Sequence, residues 1–160
     1  MTHTPDPNLD LVLERVVPLN RALIWRAWTN PALALKWFTP APWKTVACEI
    51  DLQPGGILHI VMQSPEGEDF PMTGTWLEVV PHERLVWTNA LAPGFRPADP
   101  GPHGPTITAV ITLEAHGAGT LYRAVAMHRS VADKEAHDAM GFHDGWGRAL
   151  DQLVEAVKDL

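Results

Sequence analysis

The sequence lacks the features on which several classes of protein depend. It contains a single cysteine, Cys48, so no intramolecular disulfide can form. No run approaches the roughly 18 apolar residues of a membrane helix, and the first residues lack the basic and apolar segments of a signal peptide. Lys/Arg-rich runs are absent and the net charge is -7, which argues against nucleic acid or an anionic membrane as a partner. These absences predict a cytoplasmic protein without membrane insertion.

Catalytic and cofactor-binding motifs are also missing. The sequence has no Gly-x-Ser-x-Gly nucleophile elbow, no phosphate-binding Gly-x-x-x-x-Gly-Lys and no Gly-x-Gly-x-x-Gly after a strand. His-x-x-x-His and Cys-x-x-Cys spacings, which would support a zinc site, do not occur. We therefore expect no metal and no cofactor, and we assign no catalytic residue. Cys48 is expected to be a small buried side chain in mid-strand.

Tryptophan and proline, in contrast, are abundant. Seven tryptophans accompany one tyrosine, a bias that indicates either a bulky core or a wall around a bound molecule. Residues 90–105 contain five of the fifteen prolines and three glycines. That composition excludes a helix or a central strand and predicts a long irregular loop, which in a small domain is usually functional or disordered.

Hydrophobic periodicity and turn residues predict the order of the elements. Asn30 followed by Pro31 predicts the start of a second short helix, because Asn caps helices and Pro favours the first helical position. Ser130 and Asp133 resemble the capping box of a long terminal helix that is loosened near Gly141. The predicted strands span 9–17, 43–51, 57–63, 70–80, 83–90, 106–114 and 120–128, and the predicted helices span 20–28, 31–37 and 131–159. This order predicts an α+β fold with one antiparallel sheet and a ligand-sized space between sheet and helix.

Four segments, in order, resemble one known family. They are 18–38, 51–56 (Asp-Leu-Gln-Pro-Gly-Gly), 74–88 (Gly-Thr-Trp-Leu-Glu-Val-Val-Pro-His-Glu-Arg-Leu-Val-Trp-Thr) and 140–146 (Met-Gly-Phe-His-Asp-Gly-Trp). Together they resemble the activator-of-heat-shock-ATPase-like (AHSA-like) branch of the SRPBCC superfamily, over about residues 9–159. The resemblance implies the helix-grip fold of START domains and the birch pollen allergen. In that fold a curved antiparallel sheet of about seven strands wraps around a long C-terminal helix, and two short helices lie between strands one and two. Residues 9–160 would form a single such domain behind a disordered lead, 1–8.

The candidate ligand-binding residues are those expected to face the space between sheet and helix or to lie at its entrance. If Arg123 faces solvent, strand alternation turns Tyr122 and His128 toward the helix, where His143 would lie on the buried stripe. The full set is Trp37, Phe38, Met62, Met72, Trp76, Trp87, Tyr122, His128, Met140, His143 and Trp146. Indoles and methionines suit a flat aromatic or acyl ligand, if the indoles line the space and do not fill it. The two imidazoles are interpreted either as hydrogen-bonded side chains beside an apolar wall, as ligand contacts, or as an acid and a base.

Three functions agree with this pattern, since one fold hosts many activities. The first is a binding protein for an apolar small molecule that enters near residues 90–105 and Trp37. The second is a cyclase-like or aromatase-like enzyme in which His128 or His143 moves protons on the substrate. The third, suggested by the family name, is a domain that modulates a chaperone ATPase. A homodimer through an edge strand or the helix is compatible with each of them.

Overall fold

The computed structural model describes residues 4–102 and 104–160, so residue 103 of the predicted irregular loop and residues 1–3 of the predicted lead lie outside it. Asp6 begins a hydrogen-bonded turn within that lead, since its carbonyl accepts from the backbone N–H groups of Leu9 and Asp10 at 3.0 and 2.8 Å. In the described residues the elements are β1 (Asp10–Val17), α1 (Arg21–Thr29), α2 (Pro31–Trp37), β2 (Lys44–Ile50), β3 (Ile57–Gln63), β4 (Asp69–Val80), β5 (Arg84–Thr88), β6 (Leu91–Ala92), β7 (Arg96–Pro97), β8 (Thr108–His116), β9 (Gly119–Met127), α3 (Val131–Ala139) and α4 (Phe142–Val157).

The main sheet is antiparallel and has seven strands in the order β1-β9-β8-β5-β4-β3-β2. The chain starts at one edge with β1, and α1 and α2 carry it to β2 at the opposite edge. The strand register shifts by one residue at Val46 and at Leu77, and such bulges bend a strand and increase its twist. The predicted α+β fold with a seven-stranded sheet is confirmed.

Local sequence signals explain the short helices and the first hairpin. The Asn20 side chain accepts from the N–H of Leu23, and that of Asn30 accepts from the N–H of Ala32 directly before Pro31, so each asparagine caps a helix start. The hairpin between β2 and β3 requires Gly56, since a Cβ there would lie 2.1 Å from the carbonyl oxygen of Asp51.

The single C-terminal helix predicted for residues 131–159 is instead two helices. Ser130 caps α3 as predicted, by accepting from the N–H of Asp133. The chain then breaks at Gly141, whose φ of 96° is readily accessible only to glycine. Met140 lies at the break and His143 in the first turn of α4, and both, predicted on the buried stripe, are exposed, while His137 and Phe142 are buried.

The hydrophobic core lies between the sheet and α4. Leu150, Leu153 and Val157 project from α4 toward inward-facing side chains such as Leu58 and Ile60 of β3. The predicted irregular loop contains a small hairpin of β6 and β7 around a 3₁₀ turn at Pro93–Phe95. None of the helices in the described part of the chain is long and apolar enough to cross a membrane.

Candidate functional site

A cavity of about 340 Å³ lies between α4 and one end of the sheet. Each layer of the fold contributes to its wall: Met72 comes from β4, Trp28 from α1, and Phe142 from the start of α4. Gly145 of α4 also lines the cavity, opposite Pro40, which follows α2. The mouth is bordered by Pro100, Gly104 and Pro105 of the predicted loop and by the exposed Met140.

Eight of the eleven predicted ligand-binding residues lie in the wall of this cavity: Trp37, Phe38, Met62, Met72, Trp87, Tyr122, Met140 and Trp146. Met140 reaches the wall from the junction between α3 and α4, and not from a buried helical stripe, since it is 66% exposed. Whether these side chains contact a ligand stays a prediction.

Three predicted residues lie elsewhere. Trp76 shares the inward face of β4 with Met72, as predicted, but lies four residues further along the strand. At a rise of about 3.3 Å per residue this is about 13 Å, which places Trp76 in the filled core. His143 points away from the cavity because it lies about 100° around α4 from the buried Phe142, and its ring lies 4.0 Å from Asp138 on the surface. His128 is buried behind the wall, bonded to Leu9 and His137.

Two of the four indoles at the wall are held in position by hydrogen bonds. Trp28 donates its Nε1–H to the hydroxyl of Tyr122 at 3.1 Å, and Trp37 donates its Nε1–H to the carbonyl of Ala27 at 2.8 Å. The two rings meet edge to face at a centroid distance of 5.0 Å, and Phe38 packs against both. These hydrogen bonds and ring contacts hold the side chains as a wall and keep them out of the open space.

No charged side chain lines the cavity among the described residues, and its polar side chains are few. Asn89 is engaged beside the mouth, because it donates to the carbonyl of Pro105 and accepts from the N–H of Ile107. The hydroxyl of Thr73 bonds to His59 at 2.8 Å. Tyr122, His137 and the indole N–H of Trp87, which has no partner among the described residues, remain as polar groups with bonding capacity at the wall.

His137 is the main residue that the sequence analysis missed. Its Nδ1 lies 2.8 Å from Nε2 of His128, and its ring meets Phe142 and Trp146 edge to face. Burial, and secondarily the neighbouring His128, lowers the pKa of His137 to about 4, with Asp138 acting in the opposite direction. The side chain is therefore neutral at pH 7. Its spacing of nine residues from His128 is the only sequence signal, and it is a weak one.

Burial keeps two further titratable groups, Tyr122 and Cys48, in their protonated forms. Burial raises the pKa of Tyr122 above its usual value, so its hydroxyl keeps its proton. Burial likewise raises the pKa of the Cys48 thiol to about 11, which leaves it a poor nucleophile. In the described ranges no group of three or more His, Cys, Asp or Glu side chains could hold a metal ion.

A sheet that encloses an apolar cavity against a C-terminal helix defines the helix-grip class of α+β domains. Within that class, the chain belongs to the family described as activator of Hsp90 ATPase homolog 1-like proteins, whose model matches residues 18–158. This confirms the resemblance that the sequence motifs indicated.

Solved structures agree with this assignment. Protein NE0264 from Nitrosomonas europaea is 45% identical, covers 96% of this chain and 97% of its own, and superposes with a TM-score of 0.91. Protein Ms6760 from Mycobacterium smegmatis is 21% identical, with coverages of 96% and 93% and a TM-score of 0.78. An AHSA1-like protein from Aeromonas hydrophila is 18% identical, with coverages of 94% and 92% and a TM-score of 0.67. The last two show the fold alone, and no protein of curated function matches the chain.

Proposed function

We propose that this protein binds an uncharged, mostly apolar small molecule in the cavity between the sheet and α4. The observation that carries the proposal is a cavity of about 340 Å³ whose described lining includes no charged side chain. Sites for small molecules are typically about 300–1,000 Å³, mostly apolar, with a few fixed polar groups. A charged ligand would lose its hydration here without gaining a partner of opposite charge.

The chemistry of the wall favours a flat aromatic or acyl ligand. Trp28 and Trp37 are fixed by hydrogen bonds and offer rigid faces and edges. Met62 and Met72, on neighbouring strands, have flexible side chains that can adjust to the shape of the ligand. The ligand would enter between Met140 and the loop that contains Pro100 to Pro105.

Binding can be tested with a neutral fluorophore, N-phenyl-1-naphthylamine. We expect a saturable rise in its fluorescence with a Kd of about 1–10 μM, as suits a molecule of this size in a mostly apolar site. Gly145→Leu should weaken binding by at least about tenfold, because four added carbons beside Pro40 occupy the cavity.

Gly147→Ala is the matched control, since Gly147 lies two residues further along α4 and does not line the cavity. It should bind the fluorophore like the wild type. Absence of saturable binding to the wild type, or equal binding by Gly145→Leu, would contradict the proposal. Native mass spectrometry of the purified protein would show whether a natural ligand is retained.

The structure does not favour the enzyme hypothesis, because that hypothesis required His128 or His143 to contact the substrate. His143 is exposed and His128 lies behind the wall, so neither of the two predicted proton-transfer groups lines the cavity. Modulation of a chaperone ATPase, homodimer formation and a cytoplasmic location stay predictions.

A further inference from the structure

The buried histidine pair has a fixed hydrogen-bond direction. His128 Nδ1 lies 2.8 Å from the backbone oxygen of Leu9, which also accepts from the backbone N–H of His128 at 3.1 Å. A carbonyl oxygen can only accept, so Nδ1 of His128 carries the proton. In the neutral ring Nε2 is then an acceptor, and the donor 2.8 Å away must be the Nδ1–H of His137.

This direction leaves His137 Nε2 as a free acceptor. His137 is neutral, its Nδ1 is the protonated nitrogen, and Nε2 therefore presents a lone pair. No described residue donates a hydrogen bond to Nε2, although the ring is buried and lines the cavity between Phe142 and Trp146. Nε2 is not among the fully buried side-chain atoms that lack a partner, so it is accessible from the cavity. A ligand that supplies a donor there gains a hydrogen bond that an apolar ligand cannot make.

Tyr122 supplies the complementary group. Its oxygen accepts from Trp28, and its own proton has no acceptor in the described part of the chain. The indole N–H of Trp87, another wall residue, also lacks a partner among the described residues. The wall therefore offers a neutral acceptor and neutral donors, all too weak to compensate a desolvated carboxylate or ammonium group.

We propose that His137 Nε2, held in the acceptor tautomer by the Leu9 carbonyl through His128, selects ligands that carry a neutral hydroxyl group on an aromatic or acyl body. This inference rests on the proposed function and narrows it to hydroxylated compounds. Phenols and fatty alcohols fit the description, whereas their methyl ethers lack the donor and carboxylates carry a charge.

The test compares three naphthalenes of equal ring size: 2-naphthol, 2-methoxynaphthalene and 2-naphthoate. Titration calorimetry at pH 8, where 2-naphthol and His137 are mostly neutral, should show 2-naphthol binding about 3–10-fold more tightly than the ether, the worth of one hydrogen bond. The naphthoate should bind more weakly than both.

The preference should depend on His137. His137→Phe keeps an aromatic ring at the wall but removes the acceptor, so it should bind 2-naphthol and the ether within about twofold of each other. Persistence of the preference in His137→Phe would overturn the proposal. Because this variant also removes the donor to His128, ¹⁵N NMR of the wild type gives a second measurement.

The NMR spectrum should show His137 protonated at Nδ1, and 2-naphthol should shift its Nε2 resonance while the ether does not. A proton on Nε2 in the free protein would overturn the proposal. Equal binding of the three naphthalenes to the wild type would refute the hydroxyl preference while leaving the binding function intact. Failure of all three, together with the fluorophore, to bind would refute the proposed function itself.

Discussion

Gly145 allows stability and binding to be changed in opposite directions. It lies in α4 with ordinary helical backbone angles, and a Cβ there would have one neighbour within 4 Å, the Cγ of Pro40 at 3.8 Å. Such a distance is a normal van der Waals contact. Gly145→Ala should therefore stabilise the protein by about 0.5–1 kcal/mol, the difference between Gly and Ala inside a helix. For a chain of this size the melting temperature should rise by about 1–4 °C.

Gly147 provides a comparison in the same helix. Its Cβ would lie 3.0 Å from Nη2 of Arg15, whose guanidinium pairs with Asp151 at 2.6 Å. Gly147→Ala therefore has to displace this exposed pair, and the stabilisation should be smaller than that of Gly145→Ala. Helix propensity changes equally in the two Gly→Ala variants. The difference between their free energies of unfolding therefore measures the effect of the space around each added Cβ.

Gly145→Leu completes the series. Its side chain continues past Pro40 into the cavity, so the free protein should be at least as stable as the wild type while the fluorophore binds at least about tenfold more weakly. Thermal unfolding followed by circular dichroism, with and without N-phenyl-1-naphthylamine, measures both effects. If Gly145→Ala is less stable than the wild type, there is no free space for a Cβ at this position. If the fluorophore raises the melting temperature of Gly145→Leu as much as that of the wild type, the ligand does not bind beside Gly145.

Three further measurements test the groups around the site. Burial lowers the pKa of His137 from 6.5 to about 4, so the unfolded chain binds a proton more readily, and the free energy of unfolding should fall as the pH drops from 6.5 to 4. Measured by urea unfolding, this loss should be about 2 kcal/mol larger for the wild type than for His137→Phe. Equal losses in the two proteins would contradict the lowered pKa. Tyr122→Phe should lower the free energy of unfolding by about 1–3 kcal/mol, because it leaves the buried N–H of Trp28 unpaired; an unchanged urea midpoint would show that water replaces the hydroxyl. Cys48, with its raised pKa, should react with a thiol reagent at pH 7.5 far more slowly in the folded protein than in urea, and equal rates would contradict its protection.

The order of the elements could be predicted because it depends on local signals. The β3 and α2 boundaries agree with their predicted ranges, 57–63 and 31–37, since Asn30-Pro31 and the Pro-Gly-Gly turn act within a few residues. The sequence indicated that the helix is loosened near Gly141, but it could not show that the helix ends there, because a glycine permits a positive φ without requiring it. The small hairpin of β6 and β7 was missed because its four paired residues show no periodicity.

The site could be predicted only in part, because alternation assigns a face and not a position along a strand. Met72 and Trp76 share the inward face of β4, yet the first lines the cavity and the second fills the core. His143 was placed on the buried stripe with Leu150, but the buried face of α4 follows Phe142, Ala149 and Leu153, about 100° away around the helix. The partnership of His128 with His137 depends on how α3 packs beside the end of β9, which no local pattern contains.

The energetics of the cavity agree with the proposed binding of an apolar ligand. A sealed, dry void of about 340 Å³ would cost about 8 kcal/mol at roughly 24 cal/mol per Å³, which is comparable to the whole stability of a typical domain. The free protein must therefore admit water through the mouth between Met140 and Pro100. Water gains little against apolar walls, because each molecule needs two to four polar partners and the wall offers few beyond Tyr122 and His137. An apolar molecule that displaces this water while bonding to those two groups recovers the lost contacts, and that difference between water and ligand is the driving force for binding.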